Sequence, residues 1–219
     1  SEVKTQMSGA PSSMLKYRAC SLVLVLAVLG GCGGASVSVP ALFPEPLVDR
    51  IPLQMGLHLD ESLTGYLHAE DLEDSGEWEI ELGSAQSQMF QSLLSGMFDS
   101  VYLVPDPAAP GGEVSGVLVP AISEVQFSTP LQTRSDYFEV WVRYRFQLYG
   151  RDGELLGEWP LTAYGKAHED NYGIQSREPA LQAAAVAACR DAMAFFTVQF
   201  RTVPEVRQWL LTEAGGPSR

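Results

Sequence analysis

Three histidines, His58, His68 and His168, are the side chains best suited to acid–base or metal chemistry in this chain. None of them belongs to an HExxH motif, and no CxxC pair is present; such spacings would bring metal ligands together. The nearest candidate is His168-Glu169-Asp170, but three consecutive residues of an extended segment cannot all converge on one ion. The sequence therefore predicts no metal site and no cofactor.

Motifs for nucleophilic catalysis and phosphate binding are also absent. The sequence holds no GxSxG nucleophile elbow, no GxGxxG loop and no Walker motif. Acidic residues cluster between Glu70 and Glu77, but they lack the alternating ligands and the terminal Glu of a calcium-binding loop. A solvated acidic loop is the favoured interpretation. We therefore predict that the protein is not an enzyme, and a hydrolase with an unrecognised site stays the alternative.

The segment Met14–Cys32 has the order of charges and apolar residues that is typical of a secretory signal. Lys16 and Arg18 form a basic start, an apolar run follows through Leu29, and two glycines precede Cys32. The apolar run is much shorter than the roughly 20 residues that cross a bilayer as a helix. It is therefore a poor permanent anchor by itself.

The residues Leu29-Gly30-Gly31-Cys32 resemble the lipobox of bacterial lipoproteins, although Ala or Ser is commoner than Gly at the position of Gly30. The resemblance implies cleavage before Cys32, a diacylglyceryl group on its thiol and an acyl group such as palmitate on its new amino group. It also implies the periplasmic face of the outer membrane, because Gly33 rather than Asp follows the cysteine. An ordinary secretory signal with a coincidental cysteine is the alternative.

Composition restricts the partners of the mature chain. Removal of residues 1–31 as a leader takes away three of 14 basic and one of 27 acidic residues. The remaining chain has 11 basic and 26 acidic residues. An acidic protein repels nucleic acid and anionic head groups, so we expect no nucleic-acid partner and an anchor made of lipid alone. After lipidation at Cys32, Cys189 has no disulfide partner, and its Ala-rich surroundings favour a buried apolar position.

The mature chain divides into three parts by composition. Residues 32–52 are rich in Gly and Pro and predict an extended tether, with docking of Phe43, Leu47 and Val48 on the body as the alternative. Residues 53–213 predict a single periplasmic domain. Residues 214–219 predict a frayed tail.

The first half of the predicted domain switches from strand to helix periodicity. Apolar residues alternate with Glu from Glu77 to Leu82, which predicts a strand, and Ser84 is the predicted cap of a helix. An apolar stripe follows at helical spacing and includes Met89, Phe90, Leu93 and Met97. Packing on a sheet is the favoured role of the stripe. The alternative is a cavity for lipid or another amphiphile between the stripe and the sheet.

A long hairpin dominates the second half. Apolar and polar residues alternate along Tyr137–Tyr149. After a predicted turn at 150–153, Leu155–Ala167 is expected to return as an antiparallel strand. The outward face of the first strand holds Trp141, Arg143 and Arg145. This aromatic–basic patch could bind a partner or an anionic ligand, and stacking between neighbouring strands is the alternative.

A long Ala-rich helix opening at Pro179 and a short one over Val203–Leu211, with Trp209 as a candidate contact residue, complete the domain. We expect an α+β fold: an antiparallel sheet of about five to seven strands, two main helices on one face and a short C-terminal helix. The element order distantly resembles small α/β modules of periplasmic lipoproteins, of the TolB N-terminal and PelC-like type.

These features favour a non-catalytic accessory or structural component of an envelope export or assembly complex, anchored in the outer membrane. Candidate partner-binding residues are Trp141, Arg143, Arg145 and Trp209, and the partners are envelope proteins or further copies of the chain. The alternative is a carrier that binds an amphiphile through Met89, Phe90, Leu93 and Met97.

Overall fold

The computed structural model describes residues 34–73, 75–175 and 177–215. In this part of the chain there are eight strands and five α-helices, and two short 3-10 segments, Glu169–Gln175 and Phe200–Thr202. The strands are β1 (Ala35–Ser38), β2 (Ile51–Leu57), β3 (Leu67–Leu72), β4 (Gly76–Glu81), β5 (Phe98–Leu103), β6 (Gly116–Ser128), β7 (Tyr137–Gly150) and β8 (Leu155–His168). The helices are α1 (Glu61–Thr64), α2 (Gly83–Met97), α3 (Pro130–Thr133), α4 (Arg177–Gln199) and α5 (Pro204–Gly215).

The α+β fold is confirmed, but the strands form two mixed sheets rather than one antiparallel sheet. The larger sheet has the order β5-β2-β6-β7-β8 and the smaller one has the order β1-β4-β3. Strand β2 runs parallel to both of its neighbours, and β1 runs parallel to β4. Parallel neighbours need a long connection, which β3, β4 and α2 supply between β2 and β5. Residue alternation reports which face is buried and not strand direction, so the prediction missed this.

The predicted hairpin is confirmed as β7 and β8, the two longest strands. Every second residue of β7 from Phe138 to Leu148 is buried, and helix α4 packs on that face. The rings of Phe146 and Phe196 lie 4.7 Å apart between sheet and helix. At Gly165 the helix approaches so closely that a Cβ atom would lie 2.1 Å from the carbonyl oxygen of Ala184. The small residues of α4 therefore serve close packing on the hairpin.

Strand β6 has a bulge, because its register with β7 shifts between Ile122 and Glu124. Strand β2 pairs with β6 only as far as Leu118, so Pro120 lies where one side of β6 has no partner strand. The predicted cap at Ser84 is wrong. Helix α2 already begins at Gly83, and a carboxylate two residues before Gly83 takes the capping role predicted for the serine.

The residue that caps α2 is Glu81, at the end of β4. Its carboxylate accepts hydrogen bonds from the Ser84 backbone N–H at 2.8 Å and from the Ser84 hydroxyl at 2.7 Å. It also accepts one from the hydroxyl of Ser38 on β1 at 2.7 Å. Partial burial opposes ionisation, but these hydrogen bonds outweigh it and lower the pKa of Glu81. Glu81 thus links β1, β4 and α2.

The described part of the predicted tether, residues 34–52, lies on the body, and this corrects the expectation of a free linker. Strand β1 pairs with β4, while Val37, Val39 and Phe43 are buried in the main core. The docking alternative holds for Phe43 but not for Leu47, which is fully exposed. The Ser/Val alternation is the reason, because it gives β1 one apolar face that packs on the core. The folded body therefore already includes Ala35, ahead of the predicted start at Leu53.

Helix α4 continues into the second 3-10 segment, and this stretch, Arg177–Thr202, is long and apolar enough to cross a membrane by length and composition. Its apolar side packs on β7 and β8, as expected of a core helix. The predicted C-terminal helix is confirmed as α5. The predicted signal and lipobox, Met14–Cys32, and residues 216–219 of the predicted tail lie outside the described residues.

Candidate interaction surface

The sequence-predicted patch lies on the outward face of the larger sheet, where β7 runs between β6 and β8. In the register of these strands Trp141 lies between Gln126 and Tyr164, and Arg143 lies between Glu124 and Thr162. Arg143 and Arg145 are exposed, whereas Trp141 is half-buried. The opposite face of β7 is buried under α2 and α4, so alternation along one strand positions all three side chains.

The ring of Trp141 packs against the ring of Tyr164 on β8. Their centroids are 5.2 Å apart and the rings are tilted by 37°. The Tyr164 hydroxyl donates a hydrogen bond to the carboxylate of Glu139 on β7. Desolvation, together with this carboxylate, raises the pKa of Tyr164 to about 12, so the hydroxyl keeps its proton at neutral pH. Stacking between strands, the alternative in the sequence analysis, is therefore present.

Arg143 forms an ion pair across the sheet. Its Nη1 lies 2.6 Å from Oε2 of Glu124 on β6, and the amide of Gln126 donates to the other oxygen of the same carboxylate at 2.6 Å. The charge of Arg143 is therefore largely neutralised within the protein. The predicted aromatic–basic patch therefore carries less net positive charge than its two arginines suggest.

Arg145 has different neighbours. Across the sheet it lies between Ala121 and Pro160, neither of which carries a charge or a side-chain acceptor. Among the described residues, no ion pair is found for Arg145. It is therefore a cation of this face that can meet a carboxylate from another molecule.

The shape of this face restricts what it could bind. The depression beside Trp141, lined by Glu124, Gln126, Arg143 and Thr162 as well, encloses only about 60 Å³. Small-molecule sites usually measure about 300–1,000 Å³. Flat faces with exposed Trp, Tyr and Arg side chains are typical of contacts between proteins.

Trp209, the remaining candidate for partner binding, is a core residue, so that prediction is wrong. Only 5% of its surface is exposed, and its indole N–H donates to the backbone carbonyl of Ser115 at 3.2 Å. Helix α5 is amphipathic, and its apolar side packs against the ring of Phe200 and the start of β6. A tryptophan in a short terminal helix gave no sign in the sequence of which side it would face.

The stripe on α2 fills the core. Met89, Phe90, Leu93 and Met97 are at most 2% exposed and belong to the main hydrophobic cluster. The ring of Phe90 meets those of Tyr144 and Phe146 edge to face, at 5.8 and 5.9 Å. Side chains of the sheet occupy the place where the carrier alternative needed a cavity.

The histidines lie in three separate places. The Nδ1 atom of His58, just after β2, is 2.9 Å from the carbonyl oxygen of Val104. His68 on β3 meets the ring of Phe127, and His168 ends β8 beside Tyr137. Within the described ranges, no group of three or more His, Cys, Asp or Glu side chains could hold a metal ion.

Cys189 is fully buried, as its surroundings in the sequence predicted. It lies beside Gln86, whose side-chain oxygen accepts a hydrogen bond from the Tyr144 hydroxyl at 3.1 Å. Burial raises the pKa of the Cys189 thiol to about 11. A protonated, enclosed thiol is a poor nucleophile, so these three residues connect α2, α4 and β7 as a structural network.

Comparisons with known proteins give distant likenesses only. No family model matches the chain, and no curated protein matches it. Among solved structures, it is similar to a DUF330 protein from Xanthomonas campestris, with 11% identity, a TM-score of 0.49 and coverage of 80% of this chain and 96% of that one. It is also similar to a minor lipoprotein from Acinetobacter baumannii, with 14% identity, a TM-score of 0.39 and coverage of 69% and 92%. At these TM-scores the likeness says nothing about what this chain binds.

Proposed function

We propose that this chain is a lipoprotein anchored through Cys32 at the periplasmic face of the outer membrane. It acts there as a non-catalytic accessory component of an envelope export or assembly complex. The observation that carries the proposal is the lipobox-like Leu29-Gly30-Gly31-Cys32, placed directly before a strand that is built into the folded body. Acylation on both sulfur and nitrogen provides more than one chain, which stable anchoring requires.

The contact to the complex is assigned to the outward face of β7. Trp141 with Tyr164 offers a preformed aromatic surface, and Arg145 offers a charge that no described side chain pairs. Trp, Tyr and Arg are the residue types that contribute most to binding at protein interfaces. The partner that suits this face is an envelope protein with a carboxylate opposite Arg145. A further copy of the acidic chain would also supply carboxylates, and the experiment below identifies either.

The anchor is tested on protein purified from its own envelope. Mass spectrometry of the N-terminal peptide should show an acylated Cys32, and Cys32→Ser should release the chain from the membrane fraction. An unmodified thiol at Cys32 would contradict the proposal. Asp152, on the exposed turn between β7 and β8, gives a control substitution, Asp152→Ser, that should leave membrane association unchanged.

The interface is tested by a photo-crosslinking amino acid in intact cells, placed at Trp141 and, as the control, at Asp152. We expect crosslinks to a specific envelope protein or to a second copy from position 141 only. Arg145→Glu should reduce their yield several-fold, while Arg145→Lys should preserve most of it because the charge is kept. Equal yields from positions 141 and 152, or no effect of Arg145→Glu, would refute the assignment of this face.

The described packing favours this function over the amphiphile carrier. A carrier needs an apolar cavity of ligand size, and Met89, Phe90 and Leu93 are instead enclosed by aromatic side chains of the sheet. Their burial is accounted for by core packing alone.

A further inference from the structure

The distance between the predicted lipid anchor and the folded body is short. Only Gly33 separates Cys32 from Gly34, the first described residue. The Cα atoms of Cys32 and Gly34 are therefore at most about 7 Å apart. If Cys32 is acylated, as the proposed function requires, the body cannot move far from the bilayer surface. The position of Gly34 on the body then decides which end faces the lipid.

Gly34 and Ala35 lie at one end of the smaller sheet. Ala35 is paired with Trp78, and the backbone of Gly34 runs so close to β4 that a Cβ atom would lie 1.3 Å from the carbonyl oxygen of Glu77. At this same end β3 turns into β4, since Leu72 is paired with Gly76. The chain therefore enters the body beside the tip of the β3–β4 hairpin.

The larger sheet shows how far the opposite end lies. Phe127, near the end of β6, contacts the ring of Trp78 at 5.8 Å and so lies at the anchored end. Gly116, at the start of β6, is paired with Gly150 at the turn between β7 and β8. Thirteen strand residues separate these ends, which is about 40 Å at roughly 3.3 Å per residue. The β7–β8 turn is therefore remote from the anchor.

We propose that the tip of the β3–β4 hairpin is the membrane-facing end of the protein, and that the β7–β8 turn projects about 40 Å away from the bilayer. The surface it meets is the bilayer into which its own acyl chains insert. Exposed carboxylates of Glu70, Asp71, Glu73 and Glu77 surround this tip. Because like charges repel, the hairpin fits zwitterionic head groups and is held away from anionic ones.

The test uses the full lipidated chain in phosphatidylcholine vesicles that contain a lipid with a nitroxide on its head group. Buried Cys189 is protected from labelling, so a single fluorophore can be attached at Ser75→Cys near the hairpin tip or at Asp152→Cys as the control. We expect several-fold quenching at position 75 and none at position 152. Equal quenching at both positions, or stronger quenching at position 152, would overturn the inference.

Two further measurements separate the effect of the short linker from the effect of the acidic residues at the hairpin tip. Insertion of about ten Gly/Ser residues between Gly33 and Gly34 should abolish the preference for position 75, because a flexible linker removes the constraint on orientation. Replacing a third of the lipid by phosphatidylglycerol should weaken quenching at position 75, and a variant with all four carboxylates changed to amides should restore it. A preference for position 75 over position 152 that survives the insertion would overturn the role of the short linker.

Failure of this inference differs from failure of the proposed function. Mass spectrometry that finds an acyl group on Cys32, together with equal quenching at both probes, would overturn the orientation and leave the anchor in place. An unmodified Cys32 thiol would overturn both.

Discussion

Substitution of Glu81 tests how strand β1 is held against β4 and helix α2. Glu81→Gln keeps the size of the side chain and removes its charge. The carboxylate accepts three hydrogen bonds, two from Ser84 and one from Ser38. Hydrogen bonds to charged groups contribute about 1.5–3 kcal/mol each, and loss of a helix cap costs about 0.5–2 kcal/mol. Because Glu81 is partly exposed and Gln keeps one acceptor oxygen, we expect a loss of about 1–2 kcal/mol at pH 7.

The neighbouring Glu79 provides a matched control. It lies two residues earlier on β4, but its carboxylate accepts a single hydrogen bond, from the Ser36 hydroxyl at 3.0 Å. Glu79→Gln should therefore cost less than about 0.5 kcal/mol, as is usual for a substitution at the surface. Urea unfolding at equilibrium, followed by tryptophan fluorescence, measures both variants.

The pH dependence gives a second readout for Glu81. Its pKa is lowered in the folded state, so its contribution to stability is complete above the unfolded value and is lost as pH falls through the folded value. In Glu81→Gln the decline of stability below about pH 4.5 should therefore be shallower than in the wild type, since 4.5 is the ordinary value of this carboxyl. Equal losses for Glu79→Gln and Glu81→Gln, with unchanged acid sensitivity, would refute the role assigned to Glu81.

Two further substitutions and one alkylation experiment test the packing. Val37→Ala should cost about 2 kcal/mol in urea unfolding and speed amide hydrogen exchange in β1, because it removes two buried methyl groups; no change would mean that β1 is not docked. Gly165→Ala should lower the free energy of unfolding by about 1–3 kcal/mol in the same assay, because the added methyl group would collide with the α4 backbone. Ala163→Gly on the same strand controls for backbone effects. In the folded protein Cys189 should resist iodoacetamide at pH 8 and react fully in urea, because burial raises its pKa to about 11; rapid alkylation without denaturant would contradict its enclosure.

The structure changes how the anchor and the proposed interface relate to each other. With a free tether, the outward face of β7 could meet a partner in any orientation. With β1 paired to β4, the same face has a fixed position relative to the point where the chain would meet the membrane. Trp141 lies toward the end of β7 that is nearer the proposed anchor, and Arg145 lies nearer the middle of the strand. Under the proposed function, a partner that binds both would lie close to the membrane.

The register of the hairpin shows where counting residues from the sequence falls short. Tyr149 is paired with Leu155, but Leu148 is paired with Gly157, so β8 carries one extra residue. Without this bulge, Trp141 would lie opposite Ala163, whose side chain points into the core. Buried and outward-facing residues alternate on both strands, and the two patterns match only if one strand carries an extra residue. This alternation was the signal in the sequence that Tyr164 belongs to the candidate surface. The pairing of Arg143 with Glu124 depended on a second bulge, in β6.

The sequence by itself determined the elements whose side chains alternate or repeat over many residues: the β7–β8 hairpin, the α2 stripe and the long Ala-rich helix. It also determined the acidic balance and the lipobox-like segment, because these are properties of composition and local order. Only the tertiary structure decided strand direction, the division into two sheets, the capping of α2 by Glu81 and the burial of Trp209. Those features depend on contacts between residues that are distant in the sequence. The docking of β1 is of the same kind, because its short Ser/Val segment forms a strand by pairing with the edge of β4 and burying Val37 in the core.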